Sequence, residues 1–401
     1  MNSTPLANRV HISFFGKTNT GKSSVVNTLL KQDIAIVSDV AGTTTDIVYK
    51  TTEINKIGAC VIIDTPGFDD VSILGEKRIK LTEKAIRKTD IAVLLICDDD
   101  FVEEKKWVNK FSENSIPFII AINKADIYDH SYIAYLEKKI EENFDQNPIV
   151  VSAKDGEGID YLYEKIASIG ENLVEETTLC AHLVSKDDLV LLVMPQDIQA
   201  PRGRLILPQV QMIRDLLDNK CMVICINSDQ IDEVISILNK EPRLIITDSQ
   251  VVDKIYEKKP KNTIITTFSI LFSRYKGDIG TFIEGAEALD FLDSKSKVLI
   301  AESCTHKPLE EDIGRIKIPR LLRNVIDKDI GIDICSGNDF PDDISRYNLI
   351  IHCGACMFNR KHVLSRIKIA RDAGVPITNY GIAIAKLTGA SERIDLSGVL
   401  K

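Results

Sequence analysis

Short apolar runs, each closed by glycine or polar residues, recur along this chain and alternate with stretches of helical periodicity. In the N-terminal third the runs are Val10–Phe15, Cys60–Ile63, Ile91–Cys97, Phe118–Ile122 and Ile149–Val151, and Ser24–Lys31 reads as a helix. The polar stretch Glu171–Thr178 predicts a linker. Strands are then expected at Asp188–Met194, Cys221–Ile226, Arg243–Thr247 and Thr263–Phe268. Leu207–Asn219 predicts a helix with Val210, Ile213, Leu216 and Leu217 on one face. Gln230–Asn239 and Val251–Glu257 predict two more, and Gln196–Arg204, interrupted around Pro195 and Pro201, predicts an exposed connection. Further on, a long helix is expected over Leu271–Leu292, strands over Lys297–Glu302 and Tyr347–Ile351, and a helix over Asn359–Asp372 with Val363, Ile367 and Ala370 inward. Strands alternating with helices imply parallel sheets covered by helices, an α/β fold class throughout.

Composition narrows the setting. With 44% apolar and 27% charged residues the chain is ordinary globular material. Its net charge of −9 argues against general nucleic-acid binding, which draws its affinity from Lys and Arg. Met1–Val10 lacks the apolar core of a signal peptide, and the densest apolar runs fall far short of the ~20 residues that span a bilayer. A cytoplasmic protein with no membrane partner is expected. In that reducing compartment the nine cysteines are not expected to form structural disulfides. Cys60, Cys97, Cys221 and Cys225 read as buried core thiols, Cys180 and Cys335 have no evident partner, and Cys304, Cys353 and Cys356 stand at the ends of apolar runs.

Directly after the first apolar run comes Gly16-Lys17-Thr18-Asn19-Thr20-Gly21-Lys22-Ser23-Ser24, which fits G-x-x-x-x-G-K-[ST]. Its backbone N–H groups can face phosphates, Lys22 can reach the β- and γ-phosphates, and the Ser23 hydroxyl can bind Mg²⁺. The helix that follows points its positive end at the same place. Cys60–Ile63 ends in Asp64-Thr65-Pro66-Gly67, where Asp64 can hold Mg²⁺ through water and the Gly67 N–H can sense a γ-phosphate. Phe118–Ile122 ends in Asn123-Lys124-Ala125-Asp126. The Asp126 carboxylate can accept from guanine N1 and N2, a donor pair adenine lacks, so GTP is favoured over ATP. Ser152-Ala153-Lys154 suits a backbone contact to guanine O6. Singly these could be a cap or a turn; in this order, each at a strand end, they form one nucleotide site.

From Arg9 to Gly170 these segments resemble the TrmE–Era group of GTPases. Ala41-Gly42-Thr43-Thr44-Thr45-Asp46 looks like that group's switch I, which puts Thr44 on Mg²⁺ and has Thr45 where an arginine is usual. Asn19 matches the asparagine with which potassium-activated members hold K⁺. Phe68 stands where Ras-like proteins carry a water-positioning glutamine, and an apolar ring cannot orient water. Slow, switch-like hydrolysis is therefore expected unless K⁺, Asp69, Asp70 or dimerisation supplies what is missing.

In the middle of the chain no ligand cluster or phosphate loop stands out, and a structural or dimerisation module is favoured over a second catalytic site. The last third carries Cys304-Thr305-His306 and, about forty-five residues on, His352-Cys353-Gly354-Ala355-Cys356. Both pieces end predicted strands, and ligands of open α/β sheets gather outside the strands' carboxyl ends. Spacing alone does not separate zinc from an iron–sulfur cluster. Three cysteines cannot complete a four-thiolate cluster, so a fourth ligand must come from His306, His352, a carboxylate, water or another molecule. His11, His130, His182 and His362 read as surface residues.

Cys-x-His, the long spacer and His-Cys-x-x-Cys, behind this kind of nucleotide domain, resemble the HydF family of [FeFe]-hydrogenase maturation GTPases across the whole chain. Glu310-Glu311-Asp312-Ile313-Gly314-Arg315 adds to the likeness. The resemblance implies three consecutive α/β domains: a P-loop GTPase fold over residues 1–170, a dimerisation domain over 178–266 and a cluster-binding domain over 267–401. It implies a [4Fe–4S] cluster on Cys304, Cys353 and Cys356, with His352 a candidate labile fourth ligand and His306 beside the cluster. It further implies a binuclear iron precursor as cargo, a homodimer, and as partners two radical-SAM maturases and the apo-[FeFe]-hydrogenase. Two rival readings are a zinc-containing ribosome-assembly or RNA-modification GTPase, and a redox enzyme, for which no second redox centre is evident.

Overall fold

The computed structural model describes residues 6–32, 39–40, 47–69, 73–175, 178–195, 205–249, 251–302, 312–337, 339–341, 343–355 and 358–394. It divides into two compact units, Met1–Glu176 and Thr177–Lys401. The expected connection Gln196–Arg204, switch I, Asp70, Cys304, His306 and Cys356 lie outside the described residues.

The first unit is built on β1 (Val10–Gly16), β2 (Asp39–Val40), β3 (Val48–Ile54), β4 (Gly58–Asp64), β5 (Ile91–Ile96), β6 (Phe118–Ile122) and β7 (Ile149–Val150), in the order β2-β3-β4-β1-β5-β6-β7. β3 runs antiparallel to β4, and β2 to β3; the other pairings are parallel. Helices α1 (Lys22–Gln32), α2 (Ile73–Ile86), α3 (Val102–Glu113), α4 (His130–Phe144) and α5 (Ile159–Glu175) complete it. β5 is buried at every position, as a continuous apolar run covered on both faces should be. Parallel pairing brings the strand ends to one edge. Phe14 registers with Asp64, Gly16 with Leu95, Ile96 with Ile122 and Ile122 with Val150. Motifs far apart in sequence therefore meet. The expected linker begins later than read: Glu171–Glu175 are the last turns of α5, where Leu173 packs on the core.

The second unit holds two four-stranded sheets. β8 (Leu189–Val193), β9 (Met222–Ile226), β10 (Leu244–Thr247) and β11 (Ile264–Thr267) form the first, in the order β11-β10-β8-β9, with α6 (Leu207–Asp218), α7 (Ile231–Ile237) and α8 (Val252–Tyr256) between them. The inward stripe of α6 is Gln209, Met212 and Leu216, whereas Val210 and Leu217 are exposed. Cys225, expected in the core, is exposed because β9 is an edge strand.

The long helix expected over Leu271–Leu292 is broken into α9 (Phe268–Lys276) and α10 (Ile279–Glu287). Gly277 ends the first, its N–H bonding the Ser273 carbonyl at 2.9 Å, and the Asp278 carboxylate caps the second by accepting the Thr281 N–H at 3.1 Å. β12 (Lys297–Ala301), α11 (Ile318–Val325), β13 (Gly331–Cys335), β14 (Leu349–His352), α12 (Arg360–Asp372), β15 (Ile377–Asn379) and α13 (Tyr380–Leu387) follow, giving a parallel sheet in the order β13-β12-β14-β15. α9 packs against β11 of one sheet and against α12 and α13 beside the other, and one apolar core runs through the unit. Among the described residues no helix is long and apolar enough to cross a membrane.

Candidate functional site

The loop between β1 and α1 forms a phosphate cradle. Gly21 turns it at φ +85°, and a Cβ there would collide with the Asn123 amide. Asn19 also holds a left-handed φ of 63°, which asparagine tolerates. Lys22 is buried, its ammonium donating to the carbonyls of Gly16 at 3.0 Å and Lys17 at 2.7 Å. Burial pushes its pKa down to about 8, against the pull of Asp64 and Asp69. A phosphate would replace the two carbonyls as the acceptor of this ammonium.

Asp64, at the end of β4, accepts the Ser23 hydroxyl on Oδ2 at 2.5 Å. Its Oδ1 is buried with no hydrogen-bond partner among the described residues, and burial raises its pKa despite Ser23 and Lys22. A buried carboxylate oxygen with no partner, beside a hydroxyl, suits a hard divalent cation. Ser23 and Asp64 thus fit Mg²⁺; Thr44 falls outside the described residues. Gly67 lies against the P-loop, where a Cβ would stand 2.7 Å from the Thr18 nitrogen and 2.8 Å from its Cα. Asp69 fastens the same contact, accepting the Thr18 N–H at 2.6 Å and hydroxyl at 2.7 Å. Burial acts to raise its pKa, but these bonds outweigh it and the net shift is downward. Phe68 turns the other way, buried and stacked on Trp107 at 5.2 Å.

On the base side a cleft of about 400 Å³ is bordered by Gly21, Ser24, Asn123, Lys124, Asp126 and Ala153, among others. Asn123 straps two loops together: its amide donates to the Thr20 carbonyl at 2.8 Å, and its oxygen accepts the Ala153 N–H at 3.3 Å. The buried Ser152 hydroxyl donates to Asp126 Oδ1 at 3.0 Å, and the Lys154 ammonium lies 3.6 Å from Oδ2. The Asp126 carboxylate, which lines the cleft, is thereby held on both oxygens. One anchor was not evident from the sequence. Lys17 pairs with Asp98 at 2.9 Å and with buried Glu104 at 3.3 Å, pinning the P-loop to the segment after β5. Burial pushes Glu104 up to about 7.

In the second unit, β14 delivers His352 and Cys353 to the carboxyl end of its sheet, beside β12. Cys353 is partly exposed, and its Sγ accepts the Ala355 N–H at 3.4 Å. Ala355 holds a left-handed φ of 50°, a strained conformation for alanine that wraps the loop around the sulfur. A sulfur receiving an N–H in a tightly turned loop at a sheet end fits a soft-metal thiolate. Among the described residues no three metal-binding side chains are gathered.

His352 is fully buried. Its Nε2 lies 3.0 Å from Arg366 Nη1 and its Nδ1 2.7 Å from the Cys353 carbonyl oxygen. Burial, then Arg366, pushes its pKa down to about 3. Arg366 was missed; it sits on the inward face that Val363, Ile367 and Ala370 mark out, and an arginine on such a face was the available signal. Cys335 is a second residue that no sequence motif singles out. It ends β13 in register with Ala301, as His352 does on the other side, and burial pushes its thiol up to about 11. His362, expected at the surface, is buried and stacked on Phe358 at 4.0 Å. His11 is likewise buried, whereas His130 is exposed as read.

The phosphate cradle, the Asp64 strand end and the guanine-side loops, on this sheet, define a P-loop GTPase domain. A 50S ribosome-binding GTPase family model matches residues 11–124. The hydrogen maturase F dimerization domain matches residues 179–277, and the hydrogen maturase F tetramerization domain matches 280–395. The chain belongs to the hydrogen maturase F family. GTPase Der of Wolinella succinogenes is 35% identical over 172 residues, 41% of this chain and 36% of that protein. The tRNA modification GTPase MnmE of Thermosipho melanesiensis is 33% identical over 193 residues, 47% of this chain and 41% of that protein. The chain thus spans well under half the length of these curated relatives. Aquifex aeolicus Era, solved with GDP·AlF4⁻, overlaps 55% of this chain and 93% of its own at 18% identity and a TM-score of 0.35, too loose a likeness to argue from.

Proposed function

We propose that this protein is a GTP-hydrolysing scaffold in hydrogenase maturation. In this reading residues 178–266 dimerise and residues 267–401 hold a [4Fe–4S] cluster on Cys304, Cys353 and Cys356. The cargo is a binuclear iron precursor passed to apo-[FeFe]-hydrogenase, and two radical-SAM maturases are the other partners. The observation that carries it is the pair of hydrogen maturase F domains in one chain with a nucleotide cradle. The turned loop that sets Cys353 supports a cluster ligand there. When bound, the cluster would supply an iron to which cargo can attach.

On the nucleotide, P-loop N–H groups and Lys22 hold the β- and γ-phosphates, and Gly67 offers its N–H to the γ-phosphate. Ser23, Asp64 and Thr44 are the residues that would hold Mg²⁺, which supplies charge neutralisation on the phosphates. Asp126, set by Ser152, accepts from guanine N1 and N2, while Ala153 and Lys154 face O6. Phe68 is turned into the core and Asp69 is engaged by Thr18, so neither is free to orient the attacking water. Slow, switch-like turnover follows, with K⁺ at Asn19 the candidate accelerator. Metal analysis and GTP turnover of anaerobically purified protein test the reading. Iron at about four per chain after reconstitution and K⁺-stimulated turnover are expected. Stoichiometric zinc without iron would overturn the scaffold, and fast turnover by a monomer lacking K⁺ would overturn the switch.

A further inference from the structure

We propose that Arg366 is a positioning residue for the cluster loop. It holds His352 as a strap on Cys353 rather than as a metal ligand. The proposal rests on the cluster reading above.

A guanidinium only donates, so the 3.0 Å contact makes His352 Nε2 an acceptor. The ring proton therefore sits on Nδ1, which donates to the Cys353 carbonyl at 2.7 Å. Both ring nitrogens are used, and the ring is fully buried. The direction of the Nδ1 bond is the one a metal-ligating histidine makes with its outer nitrogen. Here the other ring nitrogen is engaged by Arg366.

Arg366 cannot easily give way. It is itself buried, donates through Nη2 to the Gly337 carbonyl, and lies over the Phe340 ring at 4.9 Å. Turning His352 onto an iron would break its bond to a buried guanidinium and release the carbonyl that sets the Cys353 loop, an exchange that costs buried hydrogen bonds on both sides. The fourth coordination position is thereby left to a group other than His352. That is the arrangement a site needs if cargo is to enter it.

The test uses the full chain, expressed with ¹⁵N-histidine, anaerobically reconstituted and reduced, and read by iron analysis and pulsed EPR. Wild type is expected to hold iron and to show no directly bonded nitrogen from His352, so that any histidine ¹⁵N coupling it has persists in His352→Gln. Arg366→Gln is expected to lose iron to a chelator on the order of 10-fold faster than wild type. Arg366→Lys, which keeps one donor, should recover part of that resistance, and GTP binding should stay unchanged in both. A strong directly bonded ¹⁵N coupling in wild type that vanishes in His352→Gln would overturn the proposal. That measurement needs no Arg366 variant to fold. Iron loss unchanged in Arg366→Gln would also overturn it. Zinc with no iron in wild type would overturn the cluster reading and this proposal together, and is told apart by the metal analysis alone.

Discussion

Replacing Gly67 with alanine tests how closely the strand-end segment must approach the P-loop. The new Cβ would stand 2.7 Å from the Thr18 nitrogen and 2.8 Å from its Cα. Carbon contacts are comfortable at ~3.5–4.0 Å, so the two segments must part by somewhat under about 1 Å. Backbone atoms cannot rotate aside as a side chain would. Overpacking of this kind costs roughly 1–3 kcal/mol. The separation also stretches both bonds from Thr18 to Asp69; because that pair is exposed, their loss adds about 1 kcal/mol or less. A total near 2 kcal/mol corresponds to a fall of roughly 4–8 °C in the melting of a unit this size.

The pH dependence gives a second reading of the same variant. Asp69 has a folded pKa below its unfolded value, so its contribution is present above the unfolded pKa and lost as pH falls through the folded one. Gly67→Ala should weaken that acid-side loss of stability. Melting of the N-terminal unit at neutral and acid pH, with GTP hydrolysis and GDP affinity measured alongside, checks the argument. Hydrolysis is expected to fall at least ~10-fold, with GDP affinity less affected, because in the proposed reading Gly67 serves the γ-phosphate. Unchanged melting together with unchanged hydrolysis would refute the reasoning.

Other outcomes follow from the same geometry. The free Lys22 ammonium titrates near pH 8, and bound phosphate must raise that value. GTP affinity should therefore be flat below pH 8 and fall above it by up to ~10-fold per pH unit, with proton uptake visible by calorimetry in buffers of different ionisation heat. Asp64 has a raised folded pKa, so its charge lowers stability above the unfolded pKa. Asp64→Asn should raise the melting temperature of the nucleotide-free protein at pH 7 while abolishing Mg²⁺-dependent GTP binding; a lower melting temperature would count against the buried-charge account. Asp126→Asn replaces an acceptor with a donor, and competition assays should show preference moving from guanine toward xanthine nucleotides, whose C2 carries an acceptor. Cys353→Ala should remove iron and leave nucleotide binding intact, whereas Lys22→Ala should do the reverse; a large loss of GTP binding in the cysteine variant would show the two units to be energetically one.

What the sequence determined by itself was local. Each nucleotide motif is a contiguous stretch closing an apolar run, so its chemistry and its place at a strand end could be read together. Parallel pairing then had little freedom, because the strands must align their carboxyl ends for the motifs to meet. The His-Cys-x-x-Cys segment was legible for the same reason.

Tertiary structure decided the partners that no local pattern encodes. Lys17 reaches Asp98 and Glu104, Thr18 meets Asp69, and Arg366 finds His352, all across gaps in sequence that periodicity does not see. Burial at the margins was likewise a matter of context. An apolar run can be a central or an edge strand, and only the neighbours distinguish them, which is why Cys225 is exposed on β9 while Cys60 is buried on β4. The helix expected over Leu271–Leu292 shows the same limit. Its apolar spacing continues past residue 277, but Gly277 and the Asp278 cap favour ending one helix and starting another, which lets α9 and α10 pack as separate rods. Apolar periodicity reports which positions want burial; the backbone at one glycine and the fit of the neighbouring elements determined how that burial was achieved.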